Sequence, residues 1–200
     1  MLEILARRVK AIQPTKETVD VTTHVLDAAD LATHFGREFC SHVFSAFMLQ
    51  YADRPRDVVR AIYQSLQPGG SLGLGLWGRK NGPMIIWSES CAETDLDHKV
   101  VKSDELLAWT DIGELETMLR EGFRDMESEI QTLEFGCKTI EDLVEFWFSG
   151  SNPVARKFVQ TWAEEGGDLE AVKRNYHVIV ERHGDHRENK IDVILTTARK

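Results

Sequence analysis

The sequence predicts an α/β layer architecture built on a mostly parallel sheet. Segments with helical periodicity alternate with extended, β-branched or alternating runs. A Pro68-Gly69-Gly70 turn joins one such helix to the strand after it. No internal repeat or low-complexity stretch competes with this reading.

Leu2, Leu5, Val9 and Ile12 fall on one face of an amphipathic helix that ends near Pro14. Val19 to Leu26 (VDVTTHVL) predicts a strand with Val19, Val21, Thr23 and Val25 on one face. Ser41 to Phe47 (SHVFSAF) predicts a second strand, apolar enough to be buried. Asp53 is the expected N-cap of a helix with Pro55 in its first turn, where a missing N–H does little harm. Val58, Val59, Ile62, Tyr63 and Leu66 form its apolar face, and Pro68-Gly69-Gly70 stops it. Ser71 to Trp77 (SLGLGLW) predicts a third strand, with Leu72, Leu74 and Leu76 on one side and Gly73 and Gly75 on the other. Glycine weakens a strand, so something is expected to pack close on that side. Over 78–109 the periodicity fades, and two short helices are expected. Residues 111–121 are helical with Gly122 as the C′ residue, and 125–135 are extended. Residues 140–148, 153–164 and 169–182 are helical, with Trp147 and Trp162 on buried faces, and 191–198 form the closing strand. The expected organisation is one domain over residues 1–200, with a helical insertion at about 139–183 before the last strand.

Two hundred residues carry 24 Lys and Arg against 33 Asp and Glu, a formal charge of −9, with 42% hydrophobic and 28% charged residues. This is the composition of a soluble globular chain that can bury a core without a disulfide or metal staple. The excess of acid argues against a general binder of nucleic-acid backbone, which needs Lys and Arg. No run approaches the ~20 apolar residues of a membrane span. MLEILARRVKAIQP places its basic residues after the apolar ones and has no A-x-A site, unlike a secretory signal. A cytoplasmic location is therefore expected, with no nucleic-acid or membrane partner. Cys40, Cys91 and Cys137 are odd in number, widely spaced and without any C-x-x-C. Inert thiols are expected rather than disulfides or a zinc knuckle.

The informative block runs from Val25 to Trp77. In order it holds Asp27-Ala28-Ala29-Asp30-Leu31, HVFSAFMLQY, a helix, and LQPGGSLGLGLWG. This block resembles the second half of a class I S-adenosylmethionine-dependent methyltransferase of the small-molecule type, related to the ubiquinone and menaquinone methylases and nearest to fungal members. DAADL resembles the family's D-A-x-x-L after strand three. HVFSAFMLQY resembles the segment at strand four, and LQPGGSLGLGLWG the L-K-P-G-G helix-to-strand turn. FWFSGSNPVARKFVQTW is similar to the fungal group's helical insertion. The resemblance implies a Rossmann-like class I methyltransferase sheet, S-adenosylmethionine as cofactor, and methyl transfer to a small organic acceptor of secondary metabolism.

Ligands in such folds sit outside the carboxyl ends of the strands, where strand order reverses. The resemblance implies that the Asp27 carboxylate accepts from the adenine amino group and that the Ala28 N–H meets the ring nitrogen beside it. It places Ser45, Ala46 and Phe47 under the methionine arm and sulfonium. A carboxylate suits the first task because it only accepts. Trp77, Trp87, Trp109 and Trp147, with Phe146 and Phe148, are candidate walls of an apolar substrate pocket. A hydroxyl acceptor would call for a base; His42, His98, His177 and Tyr51 are conceivable, and none stands out. There is no P-loop, H-E-x-x-H or G-x-S-x-G. The two imidazoles of His183-Gly184-Asp185-His186 fit an exposed turn, and no metal is expected.

The family's first strand with its E/D-x-G-x-G-x-G loop, and the acid that ends its second strand, have no counterpart in these residues. Gly36 is the first glycine, and it follows the DAADL block. The family strand order is 3-2-1-4-5-7-6. Without strands one and two, strands three and four would stand about 14 Å apart, three strand spacings. Either strand three slides over to pair with strand four, or strand four exposes an apolar edge that invites self-association. Three functional expectations follow. The chain is a methyltransferase whose true product starts further upstream, or a non-catalytic remnant that binds a partner through its open edge, or a cofactor-independent isomerase or cyclase on the same scaffold.

Overall fold

The computed structural model describes residues 21–95, 111–134, 137, 139–183 and 190–200. The expected helix at 2–12, the start of the expected first strand, and His98, Trp109 and His186 lie outside these residues.

Four strands form one sheet: β1 (Cys40–Ala46), β2 (Leu66–Asn81), β3 (Arg124–Glu134) and β4 (Lys190–Arg199), in the order β1-β2-β4-β3. β1 runs parallel to β2, and β4 is antiparallel to both of its neighbours. Three of the four strands thus point the same way. The order is the 4-5-7-6 portion of the arrangement implied by the resemblance, and the Rossmann-like α/β class holds. Among the described residues the helices are α1 (Leu31–Phe35), α2 (Pro55–Ser65), α3 (Gly82–Thr94), α4 (Ile112–Leu119), α5 (Ile140–Phe148), α6 (Pro153–Glu164) and α7 (Leu169–His183). Short 3-10 turns span Ala28–Asp30 and Leu49–Tyr51.

Two apolar clusters hold these elements. Val58, Val59 and Ile62 of α2 pack with Leu72, Leu74 and Leu76 of β2 and with Leu115, Met118 and Leu119 of α4. The expected faces of α2 and β2 are therefore the buried ones. The second cluster joins α3, α5, α6 and α7, and buries Trp87, Trp147, Phe158, Trp162 and Tyr176. The bounds of α5 and α6 match the sequence reading because their starts are written locally. Thr139 and Asp142 form a capping box, and the Asn152 side chain accepts from the N–H groups of Val154 and Ala155.

Several expectations are corrected. Residues 21–26 do not form a strand, and Val25 is 91% exposed. β propensity needs a neighbouring ladder, and among the described residues the segment pairs with none. Among the described residues β1 is consequently an edge strand. Phe47 donates its N–H to Gly75 at 2.7 Å, so in the regular register from Val43 to Ala46 the backbone groups of Phe44 and Ala46 point to the open side. β1 is not buried as expected: Phe44 is 83% exposed. Its ring is the close neighbour anticipated at Gly73, where a Cβ would stand 2.8 Å from it.

Asp53 is not the cap of α2. Pro55 takes the first helical position and pushes the preceding residue out of the helical region, so Arg54 holds the N-cap position without a side-chain bond. Pro68-Gly69-Gly70 does not stop α2, which ends at Ser65; it is a bulge inside β2. The pairing jumps there from Cys40–Leu66 to His42–Ser71. Gly69 sits at φ +78°, and a Cβ on Gly70 would meet Gln67 O at 2.9 Å. Within 78–109, residues 82–94 form one helix, α3, and 96–109 lie outside the described residues; the apolar residues of α3 spread around the axis, which erases the periodic signal. Gly122 lies beyond the end of α4 and packs under Tyr63, whose ring would be 3.0 Å from an added Cβ.

The three cysteines are free thiols. Burial in the second cluster pushes Cys91 up to about 12 from 9.0. Above pH 9.0 the unfolded chain loses that proton while the folded one keeps it, so folding weakens with rising pH. The slope is up to about 1.4 kcal/mol per pH unit. Urea unfolding followed by tryptophan fluorescence is expected to give a lower midpoint at about pH 10.5, roughly two units above the usual thiol value, than at about pH 8, just below it, with the difference reduced in Cys91→Ala.

Candidate functional site

Three clefts open along the carboxyl ends of β1, β2 and β3, the side where such sheets bind ligands. The first, of about 480 Å³, is lined by Asp27, Ala28, Ala29, Phe47, Met48 and Tyr51 among others. Asp27 caps the turn Ala28–Asp30: one carboxylate oxygen accepts from the Ala29 N–H at 2.9 Å, and its carbonyl accepts from Asp30 at 2.9 Å. The Ala28 N–H takes no part in this cap. Asp27, Ala28 and Phe47 thus line one cleft. Ser45 and Ala46 do not line the cleft. The Ser45 hydroxyl is buried in the sheet without a hydrogen-bond partner, and Ala46 lies on the open edge.

Phe47 ends β1 with φ +53°, a left-handed conformation that costs energy for a bulky residue. Its ring stacks on Trp77 with centroids 3.9 Å apart and planes 20° apart. The turn that follows brings in Gln50, which the sequence reading did not single out. The Gln50 amide accepts from the Trp77 N–H at 2.7 Å and donates to the Trp77 carbonyl at 3.1 Å. It occupies the place on β2 that β1 has vacated. The only sequence signal was a polar residue inside an apolar run.

The second cleft, of about 330 Å³, is lined by Tyr51, Trp77, Asn81, Met84, Phe146 and Trp147 among others. Trp77 and Trp147 therefore share a cleft, and the Trp147 indole N–H is buried with no hydrogen-bond partner. Trp87 is corrected: it is enclosed in the second cluster, with its ring 5.7 Å from Trp147 and 6.4 Å from Trp162. Tyr51 lines both clefts. Burial pushes its phenol above the ordinary value, and a hydrogen bond with the Trp77 side chain opposes that shift. His42 lies on the exposed edge strand beside Ser41, and His177 sits between Glu141 and Glu181 on the helices. Of the four conceivable bases, Tyr51 is the one that reaches a cleft among the described residues.

Among the described residues no group of three His, Cys, Asp or Glu side chains is placed to hold a metal, and no helix is long and apolar enough to cross a membrane.

Residues 1–74 match the family model of the methyltransferase domain. The match takes in 74 of the chain's 200 residues. No curated protein matches the chain. Among solved structures, phosphoethanolamine N-methyltransferase 2 of Haemonchus contortus, held with phosphomonomethylethanolamine and S-adenosylhomocysteine, is 15% identical; the match covers 88% of this chain and 36% of that one, with a TM-score of 0.44. An S-adenosylmethionine-dependent methyltransferase from Mesorhizobium loti is 18% identical over 100% of this chain and 77% of its own, with a TM-score of 0.43. The YcgJ protein of Bacillus subtilis is 12% identical over 100% and 78%, with a TM-score of 0.49. The chain spans only 36% and 54% of the first two solved structures it resembles. At these identities and TM-scores the superpositions add nothing to the topology described above.

Gln50→Ala leaves the partly buried Trp77 N–H and carbonyl without their partner. The expected loss is about 1–3 kcal/mol of unfolding free energy in urea titration. Gln50→Glu keeps the acceptor but sets a buried carboxylate oxygen against the Trp77 carbonyl, so a loss at least as large as that of Gln50→Ala is expected.

Proposed function

We propose that the chain is an S-adenosylmethionine-dependent methyltransferase scaffold for a small organic acceptor, with an impaired hold on the methyl donor. The observation that carries this reading is one cleft that joins Asp27, Ala28 and Phe47 at the carboxyl end of β1. The residues present fit the adenine end of the cofactor. Among the described residues the second Asp27 carboxylate oxygen and the Ala28 N–H take no part in the local cap, and both residues line the cleft. They do not supply the rest, since the 200 residues contain no E/D-x-G-x-G-x-G loop. When bound, the cofactor supplies an activated methyl group, and the protein's task is to orient the acceptor and exclude water. The Trp77 and Trp147 cleft suits an apolar acceptor, and Tyr51 stands between the two clefts. A single domain with 139–183 as an insertion belongs to the same reading, supported by the direct pairing of β3 and β4, which flank that segment. So do a cytoplasmic location, which suits three free thiols, and a role in secondary metabolism.

Calorimetric titration is expected to show S-adenosylhomocysteine binding more weakly than micromolar, and micromolar affinity would contradict the impairment. Adenosine probes the adenine end alone. Asp27→Ala is expected to weaken it by roughly 10-fold or more, the worth of a hydrogen bond to a charged group. Equal affinity for the variant removes Asp27 from the site.

A second reading is favoured by the open edge of β1: a non-catalytic remnant that binds a partner, or a second copy, by strand addition. The outward backbone groups of Phe44 and Ala46 and the 83% exposure of Phe44 support it. Sedimentation velocity over a concentration series is expected to show self-association that Phe44→Lys suppresses; a monomer at every concentration counts against the second-copy form.

A further inference from the structure

The third cleft is the largest of the three, about 630 Å³, and neither the donor nor the acceptor reading uses it. It lies where the ends of β2, β3 and β4 meet the start of α3, lined by Lys80, Ile85, Thr132, His183, Lys190 and Asp192 among others. Its charge runs against that of the molecule. The chain carries a formal −9, yet two lysines face this one cavity, and neither has an ion pair within 4 Å among the described residues. Glu134 stands opposite Lys190 in the β3–β4 register without pairing to it. Asp192 is the acid of the cavity. It is buried at 9% exposure, and one of its oxygens accepts from the Thr132 hydroxyl at 2.7 Å. His183 is held by Glu89 at 3.0 Å and so forms a fixed wall. Ile85 is 45% exposed in the same cavity, while Ile86 beside it is buried.

Two independent features of this cavity point to a ligand: two ammonium groups without an ion pair among the described residues, and an exposed isoleucine inside a concave surface. We infer that this cavity binds a small molecule with an anionic head, a phosphate or a carboxylate, on an apolar body. Lys80 and Lys190 would hold the head by charge-assisted hydrogen bonds, and Ile85 would cover the body. Asp192 sets the orientation: it repels the head from the Thr132 side and accepts from any hydroxyl carried next to it. The inference does not rest on methyl transfer, because no residue of the donor cleft lines this cavity.

Isothermal titration of the full chain at low salt with hexyl phosphate, hexanoate, hexanol and hexyltrimethylammonium tests it. The expected result is one-to-one binding of at least one of the two anions, at least ~10-fold tighter than hexanol, with the tighter anion naming the head group. Lys80→Ala with Lys190→Ala is expected to weaken that anion ~10-fold or more. Both lysines are exposed, so the variant is expected to keep the parent's circular dichroism and melting temperature. Ile85→Ser is expected to weaken the alkyl anion and leave inorganic phosphate unchanged. No binding of either anion, equal binding of the cation, or an unchanged affinity in the lysine variant would overturn the inference. Each outcome stands whether or not S-adenosylhomocysteine binds.

Discussion

The Gln50 side chain takes over from a strand. β1 ends at Ala46, while β2 continues to Asn81. Without a substitute, the Trp77 N–H and carbonyl would lose their ladder on the β1 side, next to the clefts. The Gln50 amide meets both, and in doing so it fixes the turn that carries Met48 and Tyr51. A primary amide can do this because it presents a donor and an acceptor at about the spacing of a backbone peptide. The strained φ of Phe47, the stacking of Phe47 on Trp77 and the position of Tyr51 between two clefts all follow from where this amide docks. Local strain persists only where its surroundings over-determine it, and the two hydrogen bonds supply that constraint.

The fold divides into a half that is closed and a half that is open. β2 and β4 are each paired on both sides, and the first apolar cluster seals one face of the sheet. The helices α3, α5, α6 and α7 close on one another around their own aromatic cluster. Arg182 and His183 of α7 reach Glu93 and Glu89 of α3 across that second body. β1, by contrast, offers backbone groups and an aromatic ring to its surroundings. The cleft of Asp27, Phe47 and Tyr51 stands beside this edge.

Legibility followed the range of the interactions. α5 and α6 could be read to the residue because caps and proline act over three or four positions. The leucines of β2 were legible because alternation against a single apolar face is a local pattern. α3 was not, because its buried face includes the polar Ser90 while Ile85 stands exposed on another side. Val19 to Leu26 misled for the opposite reason: β-branched composition describes a segment able to join a sheet, and the joining depends on a neighbour. Gln50 and the cavity of Lys80 and Lys190 had no readable motif. Trp77 lies 27 positions from Gln50, and Lys190 lies far along the chain from Lys80. Nothing in either local sequence foretells the pairing.

The sequence by itself determined the class of the sheet, the faces of α2 and β2, the helical segment before the last strand, and the ordered DAADL, HVFSAFMLQY and PGG block that aligns Asp27 with Phe47. These are encoded by spacing and by short-range chemistry. Only the tertiary structure decided that β1 is an edge, that the glycine turn is a bulge, that Trp87 is core while Trp77 and Trp147 share a cleft, and that Tyr51 borders two clefts. Each of these depends on which surfaces meet. That is settled by burial and by the satisfaction of backbone hydrogen bonds across the whole molecule, quantities that no single stretch of chain contains.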